Sequence, residues 1–168
     1  MSQSYVAVGV ILPRWSLLQI GLRGDPAMHS QIEAHFRCRG DLLVAGRIDE
    51  LLDSYVFPLP IFLPTERLLL SGPQEARVLF ALMREALIKD RIVALRPEVR
   101  AVELPRTGRF RVWVTWHEVP MQGGRPRSSA ATYFCRATSL GPRIEMVNYT
   151  QASMPELAQQ YEALALSA

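Results

Sequence analysis

The stretch RIDELLDSYVFPLPIFLP, Arg47–Pro64, decides how the rest of the chain is read. Ile48, Leu51, Leu52 and Tyr55 keep the i, i+3, i+4, i+7 spacing of one helix face. Asp49 and Glu50 fall in the first turn, where the helix dipole favours acidic side chains. Pro58, Pro60 and Pro64 then forbid any continuation as helix. A short helix therefore ends at a proline-spaced apolar segment. That segment can line a cavity, but it holds no Asp, Glu or His and cannot move a proton.

Working back from Arg47, Ser30 and Glu33 have capping-box spacing and predict a helix starting near Ser30. Ile32, Phe36 and Leu43 share its apolar face, and Gly46 stops it. Working forward, ERLLL (Glu66–Leu70) reads as a short strand. Ser71, Pro73 and Gln74 then start a helix whose buried stripe is Ala76, Leu79, Phe80, Met83 and Leu87. Glu85 and Lys89 form an exposed i, i+4 pair on it. The remainder alternates in short, turn-linked runs, as an antiparallel meander does: Val99–Leu104, Arg109–Val119, Ser129–Ser139 and Arg143–Thr150. Leu157, Tyr161 and Leu164 predict a last amphipathic helical piece over 155–166.

The bulk properties fit one packed domain. The chain has 168 residues, is 49% hydrophobic and carries a net charge of only +3. Lys89 is the only lysine, so the positive charge is almost all arginine, and no aromatic–basic motif accompanies it. Nucleic acid is not the expected partner. Cys38 and Cys135 lack CxxC spacing, so no metal site is expected; a disulfide between them stays open. There is no glycine-rich phosphate loop and no serine elbow, and no cofactor is expected. Residues 1–28 carry the apolar run YVAVGVIL (Tyr5–Leu12). It follows no basic residue and precedes Pro13, Arg14 and Trp15 without a cleavage pattern. It is too short to span a bilayer. These features predict an apolar N-terminal arm on a cytoplasmic protein without a membrane partner. The arm is expected to cover a second subunit.

The order of these elements resembles the nuclear transport factor 2-like, or SnoaL-like, superfamily. GRIDELLDSYVFP matches its second helix and exit, and SGPQEARVLFALMREAL its long helix. RFRVWVTWHEV, SAATYFCRATS and RIEMVNYT match its bent sheet. The resemblance implies an α+β, cystatin-like cone over residues 29–152, with a curved antiparallel sheet wrapped around N-terminal helices. Residues 153–168 then form a helical tail. It also implies an apolar pocket at the wide end. Its members include isomerases, dehydratases, polyketide cyclases, epoxide hydrolases, transport factors and domains without known activity, so fold alone implies no reaction.

Many enzymes of the superfamily place an acid or base just after the second helix. The matching segment here, VFPLPIFLP, has none, and Asp49, Glu50 and Asp53 lie off the inward stripe. Alternation along Arg109–Val119 puts Phe110, Val112, Val114, Trp116 and Glu118 on one face, and Arg111, Trp113, Thr115 and His117 on the other. The expected ligand pocket is Tyr55, Phe57, Phe62, Met83, Trp116, Tyr133 and Asn148. Glu118, His117 and Tyr55 are the candidates for any catalysis. Arg111, Trp113, Phe134, Arg136 and Tyr149 form the expected homodimer face. The leading reading is a homodimeric, non-catalytic cone for a small apolar or aromatic ligand. The alternatives are an isomerase-, dehydratase- or cyclase-type enzyme, and an interaction module with a closed core.

Overall fold

A computed structural model describes residues 26–122, 124, 126–154 and 156–165. The expected apolar arm lies outside the described residues as far as residue 25. Helix α1 (Pro26–Ala45) and the short α2 (Ile48–Leu52) lead into strands β1 (Leu59–Phe62) and β2 (Arg67–Leu70). Helix α3 (Pro73–Lys89) follows, then β3 (Ile92–Val102), β4 (Arg109–Pro120), β5 (Arg127–Thr138), β6 (Gly141–Gln151) and α4 (Glu156–Ala165).

The six strands form one bent sheet in the order β2-β1-β6-β5-β4-β3. Pairing is antiparallel except at the seam, where β1 runs parallel to β6 with Ile61 opposite Val147. The fold is thus the expected α+β architecture, with a mixed sheet instead of a purely antiparallel one. Helices α1 and α3 lie against its inner face, and Phe36, Leu51, Leu87, Val112, Val114 and Ile144 are fully buried between the layers.

Helix α1 begins at Pro26, so Ser30 is an exposed residue inside it and not its cap. Gly46 ends the helix at φ +76°, with Gly46 N–H donating to Leu43 O (3.1 Å) and Arg47 N–H to Leu42 O (2.9 Å). Only glycine takes this left-handed turn cheaply. At α3, Gly72 is the cap residue and Pro73 opens the helix. The Ser71 N–H donates to Glu75 Oε2 (2.7 Å), so Glu75 takes the part expected of Gln74.

Two differences from the sequence reading have a local cause. Strand β3 starts at Ile92, well before Val99, and includes Pro97. It is an edge strand, so a residue without an N–H is tolerated there. In β6, register shifts where Met146 faces Phe134 but Ile144 faces Cys135, which leaves Glu145 as an extra residue. This bulge reverses the alternation beyond it. Val147 turns inward in place of Met146, and Asn148 becomes exposed.

Candidate functional site

The helices and the inner sheet face enclose a cavity of about 110 Å³. Arg39, Gly40 and Leu43 of α1 form one wall, with Tyr55 just beyond α2 and Leu79, Phe80 and Met83 of α3 beside them. The sheet contributes Ile61, Trp116, Glu118, Ser129, Tyr133, Val147 and Tyr149. Ala152, Ser153, Met154 and Leu157 approach from the segment leading into α4. Gly40 sets how closely α1 approaches the sheet. A Cβ there would stand 3.0 Å from Leu95 O and 3.0 Å from Trp116 Cζ3, so a larger residue would push the helix off the cavity wall.

Tyr55, Met83, Trp116, Tyr133 and Glu118, chosen from the sequence, line this cavity together. Phe57, Phe62 and Asn148 do not. Phe57 is half-buried and packs on the core beside it. Phe62 lies on the other side of β1 from Ile61, beneath the Arg67 guanidinium at 5.9 Å. Asn148 is displaced by the β6 bulge, and the same bulge brings Tyr149, assigned to the dimer face, into the cavity wall. His117 sits exposed on the outer face, its Nε2 3.1 Å from Glu98 Oε2.

The other proposed interface residues, Arg111, Trp113, Phe134 and Arg136, share the outer face. Their arginines already have carboxylates. Arg111 Nε and Nη2 each donate to Glu103 at 2.9 Å, and Arg136 Nε donates to Glu145 Oε1 at 2.6 Å. Arg111 also stacks 5.2 Å from the Trp113 ring centre. Among the described residues no His, Cys, Asp and Glu cluster could hold a metal, and no helix is long and apolar enough to cross a membrane. Both cysteines are free, Cys38 exposed and Cys135 buried.

Sequence reasoning missed the central residue of the site. Arg39 is only 5% exposed. It continues the inward stripe of α1, three residues after Phe36 and four before Leu43, so a polar residue in an apolar stripe was the available signal. Its Nη1 donates to Ser54 Oγ (2.6 Å) and its Nη2 to the Tyr55 hydroxyl. The guanidinium carbon lies 4.5 Å from the Tyr55 ring centre, 5.5 Å from Phe36 and 5.7 Å from Tyr133. Beside it, Trp116 Nε1 donates to the Tyr133 hydroxyl at 2.8 Å, and Tyr133 is hydrogen-bonded to Tyr149.

Burial pushes these phenols up. Tyr149 rises to about 12, Tyr133 well above the ordinary tyrosine value, and Tyr55 upward despite the opposing pull of Arg39. All three stay protonated near neutrality. Glu118 is held by Arg127, whose Nε donates to Oε2 at 2.8 Å and whose Nη2 also meets Asp90 at 2.8 Å. The cavity can therefore present hydroxyls and a cation to a ligand, with its one acid already paired.

No protein-family model matches the sequence, and no curated protein matches it. Solved structures do match. Aln2 from a Streptomyces species superposes with a TM-score of 0.60 at 10% identity, covering 85% of this chain and 96% of its own. A domain of unknown function with a cystatin-like fold from Nostoc punctiforme gives 0.57 at 17% identity, over 86% and 88%. An NTF2-like protein of unknown function from Shewanella oneidensis gives 0.56 at 11%, over 73% and 98%. At such identities the likeness is one of fold, and the chain has the nuclear transport factor 2-like, cystatin-like α+β fold.

Proposed function

We propose that the chain is a small-ligand-binding domain that holds its ligand in the cone without turning it over. The observation that carries this reading is the cavity: about 110 Å³ walled by aliphatic and aromatic side chains, with the Tyr55, Tyr133 and Tyr149 hydroxyls as polar handles. The ligand is small. A non-catalytic role is favoured because Glu118 is tied to Arg127 and the phenols are held protonated, so the described wall residues offer no free base.

A neutral probe tests the cavity alone. Phenol or butyramide is expected to bind saturably by calorimetry at millimolar concentration, and Val147→Phe to abolish binding by filling the space. Absence of saturable binding by both probes would remove this reading. The outer sheet face is the surface we propose for a homodimer, on the strength of Trp113 and Phe134 staying partly exposed there. Light scattering on Trp113→Glu should then report a monomer where the unmodified chain reports a dimer. A monomeric unmodified chain would refute it.

A further inference from the structure

We propose that the ligand of the cone is a small monocarboxylate whose anionic head is held by the buried guanidinium of Arg39, which no acid among the described residues pairs with. The proposal rests on the reading of the cavity as a ligand site and adds the charge that the ligand must carry. Arginine keeps its proton under all ordinary conditions. A buried ion is stable only when paired, because little in an apolar interior replaces the water it has lost. Arg39 is buried, yet no ion pair among the described residues includes it.

Among the described residues, the groups around Arg39 are neutral or already paired. Ser54 accepts from it while donating its own proton to Leu51 O at 2.6 Å. Tyr55, Tyr133 and Tyr149 are protonated phenols, and burial pushes the Cys135 thiol up to about 12. Burial and Arg39 together push His35 down to about 4, so it is neutral too. Glu118, the one acid among the described wall residues, is bonded to Arg127, which Asp90 also meets at 2.8 Å. The aromatic rings stabilise the guanidinium through their faces but do not neutralise it. Its Nε is buried without a hydrogen-bond partner.

The wall thus presents, beside an apolar chamber, a positive charge that no acid among the described residues pairs with. A carboxylate matches that charge, because guanidinium and carboxylate pair one charge to one and form parallel hydrogen bonds. A phosphate dianion would leave a second charge buried with no cation to meet it. The chamber then accepts only a short apolar body behind the carboxylate.

Calorimetric titration of the full chain with butyrate against butyramide, and with benzoate against benzamide, tests this directly. Each acid is expected to bind at least about tenfold tighter than its amide at neutral pH. In Arg39→Met, which keeps length and bulk without charge, the two affinities should come within about twofold while the amide still binds. Arg39→Lys, which keeps the charge but loses the fork, should fall between, and it serves if the methionine variant does not fold. Equal affinity for acid and amide in the unmodified chain would overturn the carboxylate proposal and leave the cavity reading standing. A preference for acid that survives in Arg39→Met would overturn it too, placing anion recognition elsewhere. If no acid and no amide binds, both the proposal and the cavity reading fall.

Discussion

The two faces of the sheet treat charge in opposite ways. On the outer face four arginines find carboxylates: Arg111 with Glu103, Arg109 and Arg136 with Glu145, Arg100 with Glu98. These pairs are largely exposed, and such pairs contribute about 0–1 kcal/mol each. On the inner face, one pair, Glu118 with Arg127, is closed off from water on the acid side, and one cation, Arg39, has no ion-pair partner among the described residues. Solvent makes the outer pairs nearly optional. Its absence makes an unmatched inner charge expensive, and an expense of that kind points to a group with a purpose beyond stability.

The contrast breaks first, and most severely, at Phe36. It is 0% exposed and stacks 4.8 Å from Tyr133 and 6.2 Å from Trp116. Phe36→Ala should cost about 3–5 kcal/mol in urea unfolding. A loss under about 1 kcal/mol would show that the inner face is loosely packed and that the cavity is larger than described.

The acids give the next test. Glu118 has a side chain 2% exposed and Arg127 one 31% exposed. Glu118→Gln removes one of the two carboxylates that the partly exposed Arg127 meets, and because Asp90 remains the cost should be about 2 kcal/mol, below that of a fully buried pair. Glu103→Gln on the outer face should cost about 0.5 kcal/mol or less. Equal losses at the two sites, measured by the same denaturant titration, would erase the distinction between the faces.

A smaller effect sharpens the assignment of β6 to its faces. Val147 is 2% exposed, whereas Met146 is half-buried on the outer side. Val147→Ala should cost about 2 kcal/mol and Met146→Ala about 1 kcal/mol or less. The reverse order would mean that strict alternation holds and that the bulge at Glu145 is absent.

The fold was legible where periodicity was long and unbroken. The stripe Ala76, Leu79, Phe80, Met83, Leu87 found α3, and alternation from Phe110 to Glu118 placed each of those side chains on its observed face. It was illegible where one residue changes the phase. The extra Glu145 in β6 exchanged Asn148 and Tyr149 between cavity and outer surface, because a period of two has no tolerance for an inserted residue. Prolines hid the phase of β1, so Phe62 was expected in the cavity where Ile61 stands. Pro97 hid the first half of β3, since its tolerance depends on the strand being at an edge. Arg39 escaped because arginine on a helix normally reads as solvated. Only its position between Phe36 and Leu43 could have marked it as inward.

The most direct test of the account compares thermal unfolding of the unmodified chain and Arg39→Met, each with and without saturating butyrate. A guanidinium kept for a ligand makes the empty protein no more stable, so without butyrate the variant should melt within about 1 kcal/mol of the unmodified chain, or above it. With butyrate at ~100 times the unmodified chain's Kd, the unmodified chain should gain about 2.7 kcal/mol and the variant, binding about tenfold more weakly, about 1.4 kcal/mol or less. A variant that loses about 3 kcal/mol or more without ligand, while butyrate stabilises neither protein, would show that Arg39 is a structural element of the core. That result would contradict the claim that the cone is built around a charge its ligand supplies.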